Sequence, residues 1–375
     1  MKVKELSAEQ RRIAVDAVQL YQHFLDLRQE HQEFRGGLHW KTVAAKEYLI
    51  KSLDRMGHQQ SLGPRSPKTE DLLRHFTGKK SELRGQLKSL QEELSRRAKF
   101  CVAAGVNRVP RIAADIVRLL DSNGLLGTHL LILGSHAIYA YEFAAGVQLK
   151  GGLLQTDDLD TLLDSKAELE LAGAVRTAGL LGLIQRVDKT FKLARQRSFR
   201  AVNAKGFMVD LIRAPFSDRT GATSLGGRDD LIAEPLQGPE WLAEAPRMTQ
   251  VVIAENGYPV RFIVPDARVF ALHKIWLSLQ PTRDPMKRKR DFRQGEAVAS
   301  LALEYLNLSF DDDTIAELPQ ALTSIKSGLI ERLRSRKSAS REPEFSLPPG
   351  FDEIDDELES SKTSQIEPRC VREKQ

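Results

Sequence analysis

Asp158 and Asp160 stand two positions apart, and Asp210 sits inside the apolar run Phe207-Met-Val-Asp-Leu-Ile212. Side chains on a strand alternate faces, so residues two apart share one. Two carboxylates side by side repel, and a cation between them relieves the repulsion. Hard oxygen donors of this kind suit Mg²⁺. Asp210 is flanked by five apolar residues, so on a central strand its desolvation demands a partner. A metal ion, an arginine, or water at a sheet edge would each serve. Gly134-Ser135 closes the apolar stretch Thr128–Leu133, and a helix follows at once from His136 to about Ala145. Glycine lets a phosphate approach the backbone, and a helix N-terminus offers free N–H groups and the positive end of its dipole. Each piece alone also has an ordinary reading: a turn, a solvated strand end, an ion pair. Together they describe phosphate binding beside a divalent cation.

The elements that must position these residues can be read from periodicity and punctuation. Thr128–Leu133 reads as a buried strand, and Leu159–Leu163 as a second strand entered through Thr156-Asp157-Asp158. A helix over about Ala167–Arg186 separates that strand from a hairpin, Ser198–Val202 and Phe207–Arg213. A second hairpin, Gln250–Ala254 and Tyr258–Val264, turns at Asn256-Gly257, the strongest short hairpin signal. Helices then run to about Leu333. Before the strands, Ile13, Ala17, Leu20, Phe24 and Leu27 mark a helix from Ser7 to about Glu33. Lys41–Met56 reads as a second helix, Gly57–Arg65 as a loop, and Ser66-Pro67 as the start of a third helix. Leu83, Leu87, Leu90 and Leu94 form a heptad-like seam on a further long helix, which suits packing within one chain. The first hundred or so residues are thus expected to be all-helical.

Strand, Gly-Ser, helix, then an acidic pair, then one acid in an apolar strand: this order resembles the nucleotidyltransferase superfamily related to DNA polymerase beta. The resemblance implies that Gly134 and Ser135 hold a triphosphate, and that Asp158, Asp160 and Asp210 are the catalytic acids that hold Mg²⁺. Stretches matching an uncharacterised bacterial family with this fold are Leu62-Gly-Pro-Arg-Ser66, Leu133-Gly-Ser-His-Ala-Ile-Tyr-Ala-Tyr141, Thr156-Asp-Asp-Leu-Asp160, Gly206-Phe-Met-Val-Asp-Leu-Ile212 and Val264-Pro-Asp-Ala-Arg-Val-Phe-Ala-Leu-His-Lys274. The chain resembles nucleotidyltransferase toxins of abortive-infection systems more loosely. Compact members of the superfamily place the acidic pair soon after Gly-Ser, whereas here a whole helix and Gly146–Gln155 intervene. The implied fold is α/β (α+β): a small mixed sheet preceded and followed by helical regions. The implied domains are 1–121 (helical), 122–270 (nucleotidyltransferase fold), 271–334 (helical) and a disordered tail from 335, rich in Ser, Glu, Asp and Pro. The implied reaction moves a nucleoside monophosphate from an NTP to a hydroxyl and releases pyrophosphate. RNA and protein are both open as acceptors. The alternative is a non-catalytic nucleotidyltransferase-like binding or regulatory protein, one half of a toxin–antitoxin or phage-defence pair.

Other residues carry weaker signals. Lys274 could reach a phosphate or lie on a helix surface. Arg283–Arg293 has six basic residues against two acidic ones, a solvated face or a contact for phosphate or RNA. Asp291 could pair with a basic neighbour. His136 and His273 read as packing or surface residues, and no third ligand at metal spacing supports zinc. A formal net charge of +5 is compatible with an anionic partner. Two distant cysteines, Cys101 and Cys370, make no disulfide framework. No run approaches the roughly 20 apolar residues that span a bilayer. A cytoplasmic protein with no membrane contact is expected.

Overall fold

The structure is a computed structural model. It describes residues 3–53, 57–149, 152–154, 156–163, 174–215, 223–224, 230–315 and 318–338. The chain opens with β1 (Val3–Glu5) and α1 (Ala8–Glu33). Ser7 caps α1: its hydroxyl accepts from Gln10 N at 3.2 Å, while Gln10 Oε1 accepts from Ser7 N at 3.0 Å. That reciprocal pair satisfies two N–H groups that a helix start leaves open. Ala14, Ala17, Tyr21 and Leu25 form its buried stripe.

The expected helix at Lys41–Met56 is instead a hairpin, and the expected loop Gly57–Arg65 is its third strand. β2 (Gly37–Val43), β3 (Lys46–Ser52) and β4 (Gln59–Pro64) form a three-stranded antiparallel sheet. Residues 54–56 lie outside the described residues. The turn between β2 and β3 is Ala44-Ala45, with φ of 50° and 64°. Both central residues of a tight hairpin turn need positive φ, a demand that Asn-Gly announces and Ala-Ala conceals. The first hundred residues are therefore not all-helical. The two helices expected after Ser66 are one continuous helix, α2 (Pro67–Ala103), capped by Ser66 with Pro67 in its first turn. Leu83 and Leu94 of the leucine seam are buried within the chain. Leu94 packs with Tyr21, Leu25 and Val251.

α3 (Arg111–Ser122) leads to β5 (Leu130–Ile132), α4 (Gly134–Ala144), β6 (Val147–Leu149) and β7 (Asp158–Leu163). α5 (Ala174–Ile184) is broken at Gly179. Then come β8 (Lys192–Leu193), β9 (Arg200–Val202), β10 (Met208–Arg213), β11 (Thr223–Ser224) and β12 (Ile232–Pro235). α6 (Pro239–Glu244), the hairpin β13 (Arg247–Ile253) and β14 (Pro259–Pro265), α7 (Ala267–Ser278) and α8 (Pro285–Glu304) follow. After a short 3₁₀ turn, Asp313–Ile315, α9 runs over Gln320–Ser338. Met1–Ser327 makes one unit, and the chain from Gly328 belongs to a second. The acidic tail expected to be disordered lies, from residue 339, outside the described residues. No described helix is long and apolar enough to cross a membrane.

The central sheet runs β11-β12-β10-β7-β5, with β9 also on β10 and β8 on β9. It is mixed: β10 is parallel to β7 and β12, and antiparallel to β9. β10 reads as nearly continuous apolar sequence because it is covered on both faces. α4 is buried all round from Ser135 to Glu142, which makes it a core helix rather than a surface one. β1 pairs with β6, and Leu6, Ala17, Cys101, Val106 and Ile253 form a core cluster. The N-terminal helices therefore share a core with the β13–β14 hairpin.

Leu94→Ala should expose that dependence. Removing a buried leucine that touches both α1 and β13 should cost about 2–5 kcal/mol. Urea unfolding followed by circular dichroism measures it. A cost under about 1 kcal/mol would mean that the helical hairpin packs loosely on the rest.

Candidate active site

Asp158 opens β7 and Asp160 follows two residues on, so both carboxylates lie on one face of the sheet. Asp210 lies directly across from Asp160 in the parallel register of β10 and β7. Cross-strand partners share a face, so the three carboxylates form a small patch on two neighbouring strands. β7 is fixed at this point by its backbone. Leu133 N donates to the Asp160 carbonyl at 2.9 Å, and Thr161 Oγ1 donates to the Asp210 carbonyl at 2.8 Å. His136 Nδ1 donates to the Asp158 carbonyl at 3.1 Å. Burial pushes His136 down to about 4, so its ring is neutral, as a packing residue should be.

Gly134 has φ of 60° and starts α4. A Cβ at this position would overlap Asp160 Oδ2. Glycine is therefore required twice, by the backbone angle and by the carboxylate pressed against it. No side chain caps α4. Its first N–H groups stand beside Asp160, a ready place for anionic oxygen. Ser135 is buried, and its hydroxyl accepts from Gln294 Nε2 at 2.9 Å. The same amide nitrogen donates to the Leu153 carbonyl at 2.6 Å. Gln294 of α8 thus ties the Gly-Ser turn to the segment leading into β7. Nothing in the sequence marks it, because 159 residues separate the two partners.

Electrostatics confirm the crowding. The Asp160 carboxyl is pushed up to about 7, first by burial and then by the charges of Asp158 and Asp210, while Lys274 and Arg283 pull it back. Asp210 is buried and held by Arg200 of β9, with Nε to Oδ1 at 2.7 Å and Nη2 to Oδ2 at 2.6 Å. The hydrogen bond to Asp210 raises the Arg200 guanidinium. An arginine partner was one of the readings that Asp210 left open in the sequence; Arg200 supplies it. Thr156 Oγ1 donates to Asp158 Oδ1.

Lys274 is neither exposed nor free. It is buried on α7, with Nζ 2.7 Å from Asp291 Oδ1. Arg283 reaches the other oxygen of Asp291 at 2.7 Å. Burial pushes Asp291 up, but Lys274 and Arg283 outweigh it and hold the carboxylate below its usual range. Asp291 therefore does pair with basic neighbours. The basic run Arg283–Arg293 divides accordingly: Arg283 belongs to this cluster, Arg288 Nε bonds the Arg283 carbonyl at 3.0 Å, and Lys287 and Arg293 are exposed. His273 is buried between Trp241 and Trp276, and burial pushes it down to about 3.

Among the described residues, no three His, Cys, Asp or Glu side chains gather as a metal cluster. The donor set nonetheless fits Mg²⁺ chemically. Asp158, Asp160 and Asp210 are hard oxygen donors on one sheet face, and the charges of Asp158 and Asp210 add to burial in raising the Asp160 carboxyl.

The chain belongs to a nucleotidyltransferase family, whose model matches residues 111–318. That span covers the central sheet, every site residue above and α8. The fold is accordingly the mixed α/β nucleotidyltransferase fold. Among solved structures, the chain is similar to the crystal structure of an antigenic nucleotidyltransferase-like protein from Paracoccidioides brasiliensis, at 15% identity over 61% of this chain and 89% of that one, with a TM-score of 0.31. No curated protein matches the chain.

The position of Asp160 has a measurable consequence. A free aspartate titrates near 4, so between about 4 and 7 the folded state binds more protons than the unfolded chain. Stability should fall as pH rises through that window. Asp160→Asn removes the titrating group. In metal-free buffer the variant should be more stable than the parent at about pH 8, and the two should converge near pH 4. Equal slopes for parent and variant, in urea unfolding across this range, would place the carboxyl in open water.

Proposed function

We propose that the protein transfers a nucleoside monophosphate from an NTP to a hydroxyl acceptor and releases pyrophosphate. The observation that carries this reading is the in-register patch of Asp158, Asp160 and Asp210 beside the uncapped N-terminus of α4. The family membership supports nucleotidyl transfer in general. Asp158 and Asp160 are the residues that would hold Mg²⁺, with Asp210 as the third ligand. When bound, the ion neutralises charge on the phosphates and makes the attacking hydroxyl more acidic.

The chain's own groups divide the remaining work. The N–H groups at the start of α4 would receive the phosphate oxygens, and the absence of a Cβ on Gly134 lets the Asp160 carboxylate lie against that turn. Lys274 and Arg283 put two positive charges against one carboxylate, Asp291, so they bring a net positive charge toward the Asp160 side. That charge favours a polyphosphate leaving group. Gln294 holds Ser135 in place. Arg200 holds Asp210 aligned through two hydrogen bonds until the carboxylate is needed as a ligand.

One observation favours a second reading, a protein that binds nucleotide without turnover. Both oxygens of Asp210 are occupied by Arg200, so the third ligand is engaged elsewhere. The variants Asp158→Asn, Asp160→Asn and Asp210→Asn separate the two. Mg·NTP is titrated into each while melting temperature is followed, and transfer of α-labelled phosphate to total cell extract is measured in parallel. All three variants should lose label transfer. Asp158→Asn and Asp160→Asn should also lose the Mg·NTP-dependent rise in melting temperature, whereas Asp210→Asn should keep more of it. A parent that shows the melting shift but no transfer to any fraction would favour the binding protein. Variants that all bind like the parent would mean the site lies elsewhere.

A further inference from the structure

The stretch between α5 and β10 is strongly basic. Arg186, Lys189, Lys192, Arg195, Arg197 and Lys205 are all exposed, and Asp188 is the single acid among them. Asp188 is spent on the turn: its carboxylate accepts from Thr190 at 2.7 Å and from Asn203 Nδ2 at 3.0 Å. Lys205 acts electrostatically on Asp188. The other five cations have no ion pair among the described residues. Surface cations are ordinarily interspersed with acids, so an unbalanced group of this density marks a surface for a polyanion.

Its position matters as much as its charge. β8, β9 and β10 form an antiparallel ribbon in which Lys192 pairs with Val202, and Arg200 pairs with Asp210. Cross-strand partners share a face, as do residues two apart on one strand. Lys192, Arg200, Asp210 and Asp160 therefore lie on the same face of the sheet. One runs from the acidic patch across Arg200 to Lys192 without leaving that face. Arg195 and Arg197 continue the charge in the loop between β8 and β9. β8 to β10 is two strand spacings, about 10 Å. Phe199, half-buried, has the Arg200 guanidinium over its ring at 5.5 Å from the centroid, an aromatic and an arginine side by side at the start of β9. Aromatic and arginine planes are what unpaired bases stack on.

We propose that the hydroxyl acceptor is the 3′ end of a single-stranded RNA, whose phosphates lie along the β8–β9 ribbon and whose terminal hydroxyl reaches Asp210. This rests on the nucleotidyl-transfer reading and names its substrate class. RNA is the polyanion that ordinarily presents unpaired strands with free 3′ hydroxyls. The bookkeeping is that of 3′ extension. The hydroxyl oxygen forms a bond to the α-phosphorus, and the bond from that phosphorus to the bridging oxygen breaks. Pyrophosphate leaves with the electron pair, and the hydroxyl proton passes to water. Arg200 is placed to exchange Asp210 for the last phosphodiester as the strand arrives.

The test uses the full chain, a fluorescent single-stranded RNA of about 20 nucleotides, and fluorescence anisotropy between about 50 and 200 mM salt. The variant Lys192→Glu/Arg195→Glu changes exposed side chains only. It should bind RNA at least about tenfold more weakly, and the slope of log affinity against log salt should fall by about 0.7 per lost contact. Its Mg·NTP-dependent melting shift should match the parent's, which shows that the fold and the nucleotide site are intact. A control, Lys287→Glu/Arg293→Glu on α8, should weaken RNA binding less. Unchanged affinity and slope in the ribbon variant would overturn the proposal, as would a loss confined to the α8 variant. Tighter binding of the parent to the deoxy strand of the same sequence would overturn the assignment to RNA. Ribbon-dependent RNA binding in a parent that shows no Mg·NTP shift would leave the RNA surface standing and remove the transfer reading instead.

Discussion

Asp160 stands in a crowd of carboxylates. Its carboxylate rests against Gly134, Asp158 lies along the same strand, and Asp210 lies across from it on the next. Burial and two like charges raise its affinity for a proton by about three pH units, from near 4 to about 7. A stable fold would ordinarily relieve such crowding with an apolar or neutral residue. Its retention here makes sense if a cation is part of the working state, and the rest of the architecture can be understood as keeping these groups close.

Parallel pairing of β7 and β10 sets the register that places Asp210 opposite Asp160, and a parallel pair needs a long crossover, here the segment containing α5. α4 is buried all round because it must bring its N-terminus to the end of β5 and against β7. Charge balance is handled from two directions. Arg200 answers Asp210 from β9, and Lys274 and Arg283 answer from α7 and the turn before α8, with Asp291 dividing its two oxygens between them. In the absence of a metal, three cations thus stand against four carboxylates. The near balance leaves a small excess of negative charge on this face.

Much of this was legible in the sequence because local signals carried it. The strand before Gly134, the helix after it, and the hairpins around Asn203–Gly206 and Asn256-Gly257 follow from apolar runs and turn residues. The spacing of Asp158 and Asp160 gave their shared face directly. The β2–β3 hairpin was not legible, because Ala44-Ala45 adopts positive φ without the glycine or asparagine that announces it. Arg200, Gln294 and the Lys274–Asp291–Arg283 cluster depend on pairings between distant segments, which no local pattern encodes. The ribbon cations were individually visible, but only the register of β8 and β9 shows that Lys192 faces the same way as the carboxylates.

The central claim is that the three aspartates form a divalent-ion and triphosphate site beside Gly134. A crystal structure of the protein soaked with Mn²⁺ and a non-hydrolysable NTP addresses it most directly, since manganese scatters anomalously and the triphosphate is visible beside it. The account predicts an anomalous peak between Asp158 and Asp160, Asp210 turned from Arg200 toward it, and phosphate oxygens on the N–H groups of Gly134 and Ser135. Ordered nucleotide bound elsewhere, with Asp210 still paired to Arg200 and no peak at Asp158 and Asp160, would contradict it.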